Sequence, residues 1–288
     1  MFVKSPRELF MKNSNIADPR FHWKNIQTKS KGIRRKYLIF LFLILATAVV
    51  LGMYVSKFLS SLTFSCTLDN RGQKTCSVFF EQELPLGCPP DCNHADLSYA
   101  NLAGADWRWV KLNQAQLVRA ELRQAKLYSA DLRKADLYRA DMRRAILLNA
   151  QMRGADLRQA NLSWAALSFA NLDDANLIGA DLYGAKLTRT SLRGANLTEA
   201  DLTRAALHKS NIRDANLRRA NLRQANLNYA LLIAADLRDA NLEEADLRWA
   251  DLREAMLENT NIQGAWYNEA TQWPAGFDPV EHGAVVIH

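Results

Sequence analysis

The chain has 288 residues, 49 % of them hydrophobic, and a formal net charge of +7. That length allows one large domain with appendages. The charge excludes an even distribution: residues 1–36 hold ten Lys/Arg against Glu8 and Asp18, a local +8 that exceeds the net charge of the whole chain. With little apolar periodicity, this basic leader reads as a mostly flexible segment rather than a packed domain.

Residues 37–56, YLIFLFLILATAVVLGMYVS, carry no charge. An apolar run of this length spans a bilayer core as a helix. Arg34, Arg35 and Lys36 precede the run and Lys57 alone follows it. The positive-inside rule then places 1–36 in the cytoplasm and everything after the span on the other side. A cleaved signal peptide is the alternative. The long leader and the absence of a small-x-small site after the run favour an uncleaved signal anchor over residues 37–57.

All four cysteines, Cys66, Cys76, Cys88 and Cys92, fall in residues 58–94. An even count confined to one short stretch beyond a membrane fits disulfides in an oxidising compartment. Two β-rich runs flank the turn-like Asp69-Asn70-Arg71-Gly72-Gln73. A hairpin centred on Arg71 sets Cys66 opposite Cys76. The expected pairs are Cys66–Cys76 and Cys88–Cys92, first among three possible connectivities. The zinc alternative needs all four thiolates, or three of them together with His94, in one cluster, and the spacing contains no CxxC.

From Ala95 to Ala265 one residue in five is Leu or a near substitute, without a slip of register. There are 34 consecutive centres from Leu97 to Ile262, 29 of them Leu; Trp107, Met142, Met152, Ile212 and Ile262 are the rest. Two residues before almost every centre stands Ala, with Val110, Thr190, Ser210 and Thr260 as exceptions, and Asp or Asn predominates in between. A period of five is neither 3.6 nor 2, so neither an amphipathic helix nor an alternating strand explains it. A repeat solenoid does, with Ala and Leu inside and the other three positions outside.

The pattern, as in Ala130-Asp131-Leu132 and Ala195-Asn196-Leu197, closely resembles the pentapeptide-repeat family over about 60 % of the chain. The resemblance implies an all-β fold: a right-handed, quadrilateral parallel β-helix with four pentapeptides to a coil, here preceded by one transmembrane α-helix. Eight to nine coils at roughly 4.8 Å each make a rod about 40 Å long. The expected domains are 1–36 basic segment, 37–57 span, 58–94 hairpin and cap, 95–265 β-helix, and 266–288 C-terminal cap. Trp266, Tyr267, Trp273 and Phe277 are expected to plug the last coil, as Pro and Gly there break the pattern.

Catalytic chemistry is not indicated. The repeated Asp residues alternate with Asn, which cannot replace a required acid. His208 lies at an outward position beside Lys209. No phosphate-binding loop, nucleophile elbow or metal spacing is present, and no cofactor is expected. Asn161-Leu162-Ser163 and Asn196-Leu197-Thr198 match the glycosylation sequon by virtue of the repeat.

In a coil of four pentapeptides, every fourth repeat stacks on the same side. The side centred on 107, 127 and onward to 267 differs from the others. Its outward positions include Trp109, Tyr128, Ile146, Leu148, Ala166, Phe169, Tyr229, Trp249 and Trp266. A contiguous apolar strip marks an interface. Charge is also graded along the rod, +10 from Arg108 to Arg223 and −5 from Gln224 to Ala265. The reading is a non-enzymatic scaffold on the non-cytoplasmic side of a bacterial inner or thylakoid membrane. It binds a partner protein or a second copy through that strip and is not expected to bind nucleic acid. An accessory subunit of an envelope or photosynthetic complex is a special case. The alternative taken from the resemblance is a gyrase-binding, DNA-mimicking quinolone-protection protein, which needs a cytoplasmic and acidic rod.

Overall fold

The computed structural model describes residues 62–68, 74–80 and 88–287. The expected span at 37–56 lies outside them, and among the described residues no helix is long and apolar enough to cross a membrane. The chain divides into two compact units, Met1–Glu81 and Gln82–His288.

In the first unit, β1 (Leu62–Leu68) pairs antiparallel with β2 (Lys74–Phe80). The register sets Cys66 opposite Cys76, as a turn centred on Arg71 requires.

The second unit is a coil whose rungs repeat at every fourth pentapeptide. Asp96 bridges Gln116 in parallel, Gln116 bridges Asp136, and the same ladder runs up each of four sides. On one side nine successive bridges lead from Asp91 to Gln272. At roughly 4.8 Å per rung the coil is about 43 Å long.

Five backbone N–H groups per pentapeptide must find acceptors, and where an Asp or Asn caps the turn the hydrogen bonds account for all five. Leu97 N–H donates to the Gln116 carbonyl and Tyr99 N–H to the Val118 carbonyl, one coil on. Gln116 N–H donates back to the Ala95 carbonyl. Ala100 N–H closes a turn onto the Leu97 carbonyl at 3.1 Å. The fifth donor, the first turn residue, is taken by the Asp or Asn side chain two residues before it: Ser98 N–H donates to Asp96 Oδ1 at 3.0 Å. Asp and Asn serve equally here because only a carbonyl-type oxygen is needed. The sequon-like triplets have the same origin, since Asn161 and Asn196 accept from both the N–H and the hydroxyl of Ser163 and Thr198.

The second turn residue has φ between +53° and +69° at all 35 turns from His94 to Gly264. With the closing hydrogen bond this is a type II turn at each corner. Only six of these residues are glycine. Each of the others accepts a strain on the order of 1 kcal/mol, held in place by the stacked ladder.

The Ala and Leu columns fill the interior and are essentially inaccessible from Leu112 to Leu252. Alternation of small and large side chains packs the narrow coil. Where Thr replaces Ala, its hydroxyl finds an acceptor: Thr190 Oγ1 donates to the Leu167 carbonyl and Thr260 Oγ1 to the Leu237 carbonyl, at 2.9 and 2.7 Å.

The coil begins one pentapeptide before the expected boundary at Ala95. Cys92 occupies the Leu column, buried, and is joined to Cys88 by a disulfide. At the far end the step lengthens, because Asp251 bridges Gln272, one position beyond the regular partner. Thr271 thereby enters the Ala column, where its hydroxyl donates to the Leu247 carbonyl at 3.0 Å. β3 (Trp266–Tyr267) then pairs in parallel with β4 (Val285–Val286), so the tail lays a partial rung over the last coil. Tyr267, Trp273 and Phe277 pack against the core, whereas Trp266 stays exposed.

Candidate docking face

The four sides share one backbone and differ in what they present. Side one holds the centres Trp107, Leu127, Leu147, Leu167, Leu187, Leu207, Leu227 and Leu247. Sides two, three and four follow it in chain order, so side three lies opposite. On sides three and four the Asx position is mostly Asp or Asn and caps the turn, and on side two such residues alternate with Lys111, Gln151, Ser191 and Leu231. On side one that position reads Lys126, Ile146, Ala166, Lys186 and Ala206 through five consecutive coils. None of these side chains supplies the capping oxygen.

The sequence-predicted residues do come together. Trp109, Ile146, Phe169, Tyr229 and Trp249 are exposed, Trp109 at 61 % and Trp249 at 39 %. Tyr128 and Leu148 are half-buried. Trp109 meets Tyr128 edge-on with centroids 6.0 Å apart. Arg108, Trp109, Lys126, Tyr128 and Ile146 line an open depression of about 320 Å³. Further along, Tyr229 stacks on Trp249 at 4.9 Å and meets His208 edge-on at 5.8 Å.

Sequence reasoning missed the cations seated on these rings. Arg108 lies 5.3 Å from the Trp109 ring, Arg189 5.8 Å from Phe169, Lys209 5.3 Å from Tyr229, and Arg248 5.7 Å from Trp249. Counting charge around the coil, rather than along it, would have exposed the pattern. Over residues 95–264 side one has six cations against two acids, a net +4, whereas sides two, three and four carry +1, −1 and −1. Both acids of side one are already engaged: Asp106 by Arg108 and Lys126, Asp246 by Arg248.

The other sides neutralise themselves. Asp131, Asp236 and Asp251 are held below the usual carboxylate range by side-chain hydrogen bonds from Arg133, Arg238 and Arg253. For Asp141 and Asp156 burial pulls upward, but hydrogen bonds from Arg143 and Arg158 override it and both carboxyls end low. Each carboxylate is thus tied to a guanidinium and a turn N–H, an arrangement that serves the coil and not proton transfer. Among the described residues no cluster of three or more His, Cys, Asp and Glu is placed to hold a metal ion.

Two rings on side three also carry cations, Arg119 at 6.0 Å from Tyr99 and Arg139 and Arg158 at 5.1 and 5.5 Å from Tyr138, but side four is built differently. On side four Trp164 packs edge-on to Tyr183 at 5.5 Å and lies over Gly184, where a Cβ would come within 2.8 Å of the indole. That ring rests on the space a side chain at 184 would take, while remaining 52 % exposed.

The family model of pentapeptide repeats matches residues 91–127, 120–159, 160–198, 200–239 and 230–265. No curated protein matches the chain. Among solved structures, HetL, a pentapeptide repeat protein involved in heterocyst differentiation regulation in the cyanobacterium Nostoc sp. strain PCC 7120, is 35 % identical. The match covers 61 % of this chain and 88 % of that one, with a TM-score of 0.39. The plasmid-mediated fluoroquinolone resistance protein QnrB1 is 16 % identical over 60 % of this chain and 89 % of its own, with a TM-score of 0.46. A pentapeptide repeat protein of the Arabidopsis thaliana thylakoid lumen is 27 % identical over 40 % and 63 %, with a TM-score of 0.24.

Proposed function

The chain belongs to the pentapeptide-repeat family, and from that premise we propose that it is a non-enzymatic interaction rod, anchored in a membrane and docking through side one. The observation that carries this reading is the break in the Asx column. Five successive coils give up a turn cap at Lys126, Ile146, Ala166, Lys186 and Ala206, on the same side that exposes Trp109, Phe169, Tyr229 and Trp249. Elsewhere the rule is broken only in isolated coils, as at Lys111, Gln151, Ser191 and Leu231 on side two; a break sustained through five successive coils points to a demand other than folding. The strip is apolar and cationic, the composition of a contact surface and not of a solvated one.

The anchor in this proposal is residues 37–56, with 1–36 in the cytoplasm and the rod in a periplasm or lumen. The Arg34, Arg35 and Lys36 cluster and the confinement of cysteines to the far side support it. The gyrase-binding alternative calls for an acidic rod, and the docking side is the most basic of the four.

The test is photo-crosslinking in cells from a benzophenone amino acid at positions 109, 169 or 249 of the full chain, compared with positions 159, 199 and 219 on side three. A compartment-sensitive reporter follows His288. Adducts confined to side one, with a non-cytoplasmic reporter, are the expected result. Equal yields from both sides overturn the docking reading, and a cytoplasmic reporter overturns the topology.

A further inference from the structure

We infer that side one lies on the anionic surface of a bilayer, a step that rests on the docking reading above and names its occupant. Three candidates present themselves for a strip of this kind: a second copy, a stacking ligand such as a sugar or base, and a charged lipid surface. A symmetric dimer joins the same patch to itself, and here that sets a net +4 against a net +4. A stacking ligand is less well served, because Tyr229 and Trp249 already stack on each other and Trp109, Phe169, Tyr229 and Trp249 each have a cation within 5.8 Å of the centroid.

The strip offers exposed rings, aliphatic side chains and positive charge, laid along one line of the rod. This is the chemistry of a membrane interface, where Trp and Tyr sit at the headgroup level and Lys and Arg reach phosphates. The missing Asx residues fit the same picture, since an acid at each of those five positions would face the phosphates. In the middle of the strip Lys186, Arg189 and Lys209 are exposed, and among the described residues no carboxylate forms an ion pair with them. Lys186 is the most available of the three, because Arg189 and Lys209 also cover rings.

The tether permits the contact. Leu62 pairs with Phe80, so the hairpin adds little to the reach of the chain. The remaining residues between 56 and 91 extend at most about 60 Å, which exceeds the length of the rod. Laid down in this way, the rod turns side three, its acidic opposite, toward the aqueous compartment.

The experiment reconstitutes the full chain into vesicles of phosphatidylcholine alone, or with a third of phosphatidylglycerol, in which acyl chains near the headgroup are brominated. Quenching of tryptophan fluorescence reports ring contact with lipid. Wild type should be quenched more in the anionic vesicles, and the excess should fall as salt is raised. In Trp109→Ser with Trp249→Ser most of that excess should vanish. Lys186→Gln, Arg189→Gln and Lys209→Gln together should cut the ratio of docked to free rod by about a hundredfold, roughly fivefold per cation. Removing Arg119, Arg218 and Arg219 from side three in the same way should change nothing. Folding is not at issue, because Gln already occupies both columns at Gln116, Gln151, Gln124 and Gln224. Equal quenching in both lipids, no quenching, or insensitivity to the triple substitution overturns the inference. If side one then still crosslinks to a protein in cells, docking stands and only the lipid is wrong. If it crosslinks to nothing, both fall.

Discussion

Sides one and three are made by the same backbone, four turns to a coil, and yet obey different rules outside. On side three Asp136, Asp156, Asn176, Asn196, Asn216 and Asp236 each cap the following turn. On side one the corresponding column is empty of caps from Lys126 to Ala206, and the turns keep the same φ. The Asx cap is therefore a contribution to stability that the stacked ladder can do without locally. Where it is given up, the outer surface is free to carry something else.

The largest effect should ignore the difference between sides. Leu167→Ala on side one and Leu157→Ala on side three should each cost about 2–5 kcal/mol in denaturant unfolding, because both side chains are wholly buried in one shared core. A gap between them well beyond about 2 kcal/mol, the scatter expected at fixed chemistry, would show that the sides differ inside as well as out.

Next is the contrast between a ring packed over a glycine and a ring packed under a cation. Gly184→Ala forces the Trp164 indole to move and should cost about 1–3 kcal/mol in thermal unfolding. Lys209→Ala, in the same turn column on side one, should change stability by less than about 0.5 kcal/mol.

The cap itself can be moved. Asn176→Ala should lose on the order of 1 kcal/mol with its hydrogen bond. Ala206→Asn should gain a similar amount by capping His208, at the expense of an apolar position in the docking strip. A stabilised Ala206→Asn rod that docks unchanged would separate the missing cap from function.

The smallest effect is on acid sensitivity. Asp131, Asp141 and Asp156 are depressed in the folded coil, where Arg partners hold them low. Their contribution is complete above about pH 4, the ordinary aspartate value, and is lost as pH falls through the lower folded values. Arg143→Gln should flatten the acid-induced fall in unfolding free energy by a fraction of a kcal/mol, as expected for exposed pairs. Lys186→Gln on side one, with no carboxylate to release, should leave the acid profile as it is.

The repeat was legible because a five-residue period with two apolar columns admits few foldings. The apolar strip was legible too, once every fourth pentapeptide was stacked. Cys92 was not, since a count of Leu passes over a cysteine, although a disulfide-bonded cysteine fills a core position as a small hydrophobe does. The left-handed turn column was hidden because glycine holds only six of its 35 places, no more than Arg does. Arg189 over Phe169 and Lys209 over Tyr229 join residues a full coil apart and leave no local trace, whereas Arg108 beside Trp109 and Arg248 beside Trp249 are sequence neighbours.

The lengthened step between Asp251 and Gln272 draws attention to what the regular rung of four pentapeptides does for the strip: it keeps it in phase. Removing one whole coil shortens the rod and leaves Trp109 aligned with Trp249. Removing a single pentapeptide, such as 190–194, rotates everything downstream by a quarter turn. Tyr229 and Trp249 then move around to side four, and one continuous band becomes two half-bands facing different ways. Length and facing direction are thus separately adjustable in this protein by deletions that leave every remaining pentapeptide intact.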